Sequence, residues 1–218
     1  MYNYFVYLLL FCEGVASFVS LLYWKKNKGY EMKYFSIYLT FIFLSEVFGH
    51  ITQKLLLNNI NQMYIDYIAI PLEFVFLYWF IIQLSQYTRK TKIFLMALFP
   101  YLISFIIETF FKATFEFLNI SYIVGNLFLL ILVLKCINDF MTSNNILQFM
   151  YSPIFYICIG ILLFYLGTFP YYAIKNVLWA EFKTIGLKYW YIAIVLNCLM
   201  YCMFTISFLC YKQKSISP

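Results

Sequence analysis

Seven stretches of this chain, at 3–24, 34–55, 64–84, 93–111, 119–137, 153–174 and 190–209, are almost wholly apolar, with short polar joints between them. At about 1.5 Å per residue, each is long enough to cross the roughly 30 Å hydrocarbon core of a bilayer as a helix. Lipid gives a backbone no hydrogen bonds, so a crossing segment must satisfy its own N–H and C=O groups. These runs are too long and too continuously apolar for barrel strands. The expected fold is therefore all-α, a polytopic bundle of seven transmembrane helices spanning 1–218 as a single domain. A composition of 65% hydrophobic and 11% charged residues leaves no stretch for a separate soluble domain. The first run lacks a basic leader and a small-residue cleavage site, so it is expected to be retained.

Lysine and arginine are unevenly shared between the two sets of joints. One set holds ten: Lys25, Lys26, Lys28, Lys33, Arg89, Lys90, Lys92, Lys135, Lys212 and Lys214. The other holds five: Lys54, Lys112, Lys175, Lys183 and Lys188. The positive-inside rule then predicts an N-terminus outside and a C-terminus in the cytoplasm. The net charge of +6 is explained by those joints, and no nucleic-acid partner is expected. The outer joint at 175–189 mixes Val177, Leu178, Trp179 and Phe182 with lysines. It reads either as a short interfacial helix over the bundle mouth or as an ordinary amphipathic connector.

A carboxylate at bilayer depth is costly, and such groups usually face a bundle interior or a watery cavity. Glu13, Glu46 and Glu73 lie mid-span in the first three runs. Glu46, His50 and Gln53 fall at i, i+4 and i+7, on one helical face. Asp66 and Glu73, seven apart, are expected to share a face of the third span, and Tyr101, Ser104 and Glu108 a face of the fourth. Counted from the outer ends, Glu13, Glu46, Glu73 and Tyr165 lie about 13–15 Å deep, and His50, Asn126, Asn197 and Thr168 about 7–11 Å deep. Tyr201 follows Asn197 one turn further in. The inner halves carry few polar groups beyond Ser17, Ser20, Gln83 and Thr205.

A polar cup open to the outside and closed below is the simplest picture. Its ligand- or proton-binding residues are expected to be Glu13, Glu46, His50, Glu73, Asn126, Tyr165, Asn197 and Tyr201. Asn126 and Asn197 read equally well as interhelical hydrogen-bond glue, and His50 as a cationic partner of Glu46 or a hydrogen-bonded imidazole.

Enzymatic chemistry finds little support. One histidine cannot build a multi-histidine zinc site, no HExxH pair occurs, and no nucleophile is spaced to pair with His50. The last span carries no lysine for a retinal Schiff base. Cys12, Cys136, Cys158, Cys198, Cys202 and Cys210 read as small buried hydrophobes, not as disulfides or metal ligands. No cofactor and no metal are expected.

The segments YIDYIAIPLEFVFLYWFI at 64–81 and ILLFYLGTFPYY at 161–172 resemble a family of small seven-span proteins of Bacteroidota-type bacteria, most sharply at PLEF and FYLGT. The resemblance implies a membrane-embedded sensory or regulatory partner of a histidine kinase, and no catalytic residue. The expected function is a non-enzymatic sensor or receptor-like module whose cup takes a small molecule or proton and whose output needs a signalling partner. A proton-coupled or small-solute transporter is the alternative, and a lipid-modifying enzyme the third reading.

Overall fold

The backbone of each apolar run bonds within its own segment, giving α1 (Tyr2–Leu22), α2 (Tyr30–Lys54), α3 (Asn58–Tyr64), α4 (Ile70–Leu84), α5 (Lys90–Phe111), α6 (Asn119–Met141), α7 (Pro153–Ala173), α8 (Lys175–Glu181) and α9 (Lys183–Lys214). This computed structural model describes residues 2–25, 30–55, 58–111, 118–142 and 152–214, and no strand occurs among them. Lys26, Lys28 and Lys112 of the charge count lie outside the described residues, as do the side chains of Lys54, Lys212 and Lys214.

Among the described residues seven helices are long and apolar enough to cross a membrane, counting the joined α3–α4 segment as one. The chain is a multi-pass membrane protein. Several helices start earlier than their apolar runs: α2 at Tyr30, the third span at Asn58 and α9 at Lys183. Polarity marks where the lipid-facing part ends. A helix continues past that point so that the four N–H or carbonyl groups left unpaired at its end lie where water can reach them and not in lipid.

The order of packing sets the site. α1 lies against α2 and α9, α9 against α7, α7 against α6, and α6 against α5 and α4, while α2 closes back onto α4. α5 is the least covered, with 17% of its apolar stretch buried against 22% for α1 and 44% for α6, α7 and α9. Its Phe99, Phe110 and Phe111 face outward, as lipid-facing side chains should.

Without a hydrophobic drive between helices in lipid, close approach depends on small residues. Gly160 of α7 is such a point, since a Cβ there would sit 3.1 Å from Met203 Cβ and 3.2 Å from the Met200 carbonyl of α9.

The third span is not one continuous α-helix. Ile65–Ala69 form a π-helical turn in which the Ile70 N–H donates to the Ile65 carbonyl, five residues back. Pro71 has no N–H to give the Tyr67 carbonyl, so the α-pattern is broken there in any case. The extra residue rotates what precedes it relative to α4. The seven-residue spacing therefore does not keep Asp66 and Glu73 together: Ile65, Ala69, Ile70 and Glu73 share a face, and Asp66 is buried off it.

In the half of the bundle away from the N-terminus, the core is an aromatic plug. The Phe35 ring stacks on Phe80 at 4.7 Å, meets Phe204 edge-on at 5.1 Å and stacks on Phe208 at 6.0 Å. All four are at most 1% exposed, so no polar route runs between them. The hydroxyls nearby are satisfied locally: Ser36, Thr40, Thr205 and Ser207 donate to carbonyls three or four residues back in their own helices.

All six cysteines are free. Cys136, Cys158 and Cys198 are buried as expected, but Cys202 is exposed and Cys12 and Cys210 are partly so.

Candidate functional site

Above the plug, on the N-terminal face, the helices part around a cavity of about 350 Å³. α1 contributes apolar wall at Val6, Leu9 and Leu10. α2 contributes Glu46, His50 and Gln53, the i, i+4, i+7 face. The π turn and α4 bring Ile65 and Glu73, α9 brings Trp190, Asn197 and Tyr201, and α8 brings Lys175.

Glu73 is held from two neighbouring helices. Its Oε1 accepts hydrogen bonds from the Tyr165 hydroxyl of α7 at 2.7 Å and the Tyr38 hydroxyl of α2 at 3.2 Å. Glu46 is exposed although it lies in mid-helix, because the surface it shows is cavity surface. Glu13 is 1% exposed and does not reach the wall. Tyr201, a wall residue, lies beside its carboxyl without closing a hydrogen bond of ordinary geometry, and neither Glu13 oxygen has a partner. All three carboxyls are within electrostatic range of one another.

Five of the eight expected site residues thus line the cavity: Glu46, His50, Glu73, Asn197 and Tyr201. Glu13, Asn126 and Tyr165 stand behind it. Tyr165 orients Glu73 from the rear. Asn126, fully buried, donates from Nδ2 to the Tyr165 carbonyl at 2.9 Å and so ties α6 to α7. That is the interhelical role weighed for it above. His50 is neither a bonded partner of Glu46 nor a hydrogen-bonded imidazole. Its two nitrogens are buried without partners, and its ring meets the Tyr7 ring edge-on at 5.4 Å.

Several residues at the site were not anticipated, Tyr38 and Lys175 among them. Tyr38 belongs to the stripe Tyr38, Ile42, Glu46, His50, all four apart, and extending the Glu46–His50 face backward finds it. Lys175 read as one loop charge among many. In the structure its ammonium stands 5.4 Å over the Tyr172 ring, at the mouth. Burial pulls its pKa down to about 8, and the negative charge of nearby Asp66 opposes the fall.

The short helix that carries Lys175 is pinned in place. Leu178 is buried against Tyr171 and Ala193, and the Trp179 Nε1–H donates to the Tyr171 hydroxyl at 3.1 Å. The 175–189 joint is therefore a helix over the mouth through Glu181, after which α9 begins.

Other acids have structural partners instead. Glu108 accepts from the Ile120 N–H at 3.0 Å and the Ser121 N–H at 2.7 Å, capping the first turn of α6 from a neighbouring helix. Asp139, near the opposite face, accepts from the Gln86 N–H and pairs with Lys135. Among the described residues no three His, Cys, Asp or Glu side chains are grouped to hold a metal ion.

Comparison with protein-family models, with curated proteins and with solved structures gives no match.

Proposed function

We propose that this protein is a non-enzymatic receptor-like module of a bacterial inner membrane. Its cup faces outside and takes a small ligand or proton. The observation that carries this reading is the pairing of a polar cavity with a fully packed aromatic plug beneath it. A transporter needs a path that opens on the second side. Here Phe35, Phe80, Phe204 and Phe208 fill that route, and the hydroxyls around them are satisfied by their own helices. Output then passes through helix positions to a partner, with a histidine kinase as the proposed class, since the joints between helices are too short to hold signalling machinery.

Thiol accessibility tests the reading. In a chain whose six native cysteines are replaced, Ala69→Cys on the cup wall is expected to react with a membrane-impermeant thiol reagent on intact cells. Ala16→Cys, buried below the floor, is expected to react from neither side. Labelling of Ala16→Cys from the cytoplasmic side, under any condition that leaves the protein folded, would establish a transport path and overturn the receptor reading. Labelling of Ala69→Cys only in inside-out vesicles would reverse the proposed orientation.

A further inference from the structure

The polar atoms on the cup wall are unbalanced in a specific way. Glu73 Oε1 is taken by two tyrosines, but its Oε2 accepts nothing from the described residues. Glu46 has no hydrogen-bond donor against it among them. The Asn197 and Asn61 Oδ1 atoms, also on the wall, are buried and unpaired. These are acceptors, whereas His50, on the same wall with both nitrogens unpaired, offers one acceptor and one donor. An ionised carboxylate accepts only, and an amide oxygen accepts only, whereas an ammonium group has three donors and no acceptor. Two carboxylates with acceptor positions left open are therefore complementary to a protonated amine. A bare metal ion is served less well, because no third acidic, cysteine or histidine ligand is grouped there among the described residues.

The walls fit an organic body attached to that amine. Tyr122 and Tyr172 present rings 4.4 Å apart, Trp190 lies on the α9 side, and Ile65, Ala69 and Ile194 complete an apolar sleeve. At the mouth the wall carries a cation, with Asp66, buried off the wall, within electrostatic range of it. Among the described residues Lys175 is the one lysine or arginine on the cavity wall, and it is held over Tyr172. Tyr165, which clamps Glu73, and Tyr172, which lies under Lys175, are seven residues apart on α7, about 10 Å along the helix axis.

We infer that the cup takes an elongated zwitterion, with a primary ammonium against Glu46 and Glu73, its carbon chain along the aromatic sleeve, and an anionic end at Lys175. The inference rests on the receptor reading of the same cavity and narrows it to one class of ligand. An α-amino acid is too short to meet both ends, and a diamine would set a second cation against Lys175.

The test uses the full chain in lipid nanodiscs and three probes of equal chain length: ε-aminocaproate, hexylamine and caproate. Binding is read by Trp fluorescence, to which Trp190 contributes, and by the shift in thermal midpoint. The expected order is ε-aminocaproate several-fold tighter than hexylamine, with caproate not binding. Glu46→Gln and Glu73→Gln, which keep side-chain volume and an acceptor oxygen, are expected to weaken both amines at least tenfold. Lys175→Gln is expected to bring ε-aminocaproate down to the level of hexylamine.

Caproate binding as well as the amines, amine binding indifferent to both glutamine variants, or no binding of either amine would each overturn the inference. The thiol-labelling result is independent of these probes. A one-sided cup that ignores amines defeats the ligand class alone, whereas a cup open to both sides defeats the receptor reading itself.

Discussion

Glu73 shows how one side chain can hold up a wall and remain available to a ligand. Its Oε1 closes two tyrosine hydrogen bonds that join α4 to α7 and α2, while the rest of the carboxyl faces the cavity. Glu73→Gln retains an acceptor for those hydroxyls and is expected to fold with a thermal midpoint close to the parent. Glu73→Leu strands both hydroxyls, at about 1–3 kcal/mol for each buried unpaired group, and is expected to unfold at clearly lower temperature in detergent. Equal midpoints for the Gln and Leu variants would deny Glu73 its bracing role.

Lys175 gives a pH signature. Its folded-state pKa, lowered by burial to about 8, lies below the ordinary lysine value of 10.5. Between those limits the unfolded chain holds more protons than the folded one, so this group makes stability rise with pH across that window. Below about 8 its full desolvation cost is present, against the partial compensation of Asp66 and the Tyr172 ring. The wild-type thermal midpoint minus that of Lys175→Gln should therefore increase from about pH 8 toward 10.5. A flat difference would mean Lys175 is not desolvated.

Mid-span depth and helical spacing made the carboxylates and the Glu46–His50 face legible in the sequence. Lys175 was hidden because a lysine in a joint looks like any loop charge until the helix beneath it is docked.

Element by element, the apolar runs announced their helices, since a run of that length in lipid has no other way to satisfy its backbone. Two features lay beyond that signal. The ends ran on past the apolar stretches, and the π turn changed the phase of the third span. A π turn is an inserted residue, and hydrophobic periodicity alone has no way to mark an insertion when residues on both sides are apolar. Pro71 was visible as a break, but the direction of the rotation was not.

Helix contacts also turn on residues that periodicity ignores. At Gly160 an added methyl meets Met203 Cβ and a backbone carbonyl of α9, neither of which moves cheaply. Gly160→Ala is expected to cost about 1–3 kcal/mol by forcing α7 and α9 apart, read as a lower thermal midpoint. Because α9 carries Asn197 and Tyr201, the same variant should loosen the cup. Gly14→Ala, whose Cβ meets only the edge of the Phe43 ring at 3.2 Å, is the matched control with a smaller loss. Equal losses at the two glycines would refute the tight α7–α9 contact.

At the scale of the whole molecule, the division into a polar half and a packed half was readable from the depth of the polar residues. Which of them reach the cavity was not. Glu13 shares the depth of Glu46 and Glu73, yet the rotation of α1 and the bulk of Tyr201 keep it behind the floor. Depth is one coordinate, and exposure to a cavity also needs the rotation of each helix, which is set by packing.

The plug also determines where a membrane voltage would be felt. A cavity that admits water takes the electrical potential of the compartment it opens to, so the drop across the bilayer concentrates over the dry aromatic layer beneath it. A charge carried into the cup crosses almost none of that drop. A charge shifted through the plug would cross nearly all of it, at about 2.3 kcal/mol per elementary charge for each 100 mV. Occupancy of the cup should therefore follow the chemistry of the one compartment it opens to and be nearly blind to the energised state of the membrane.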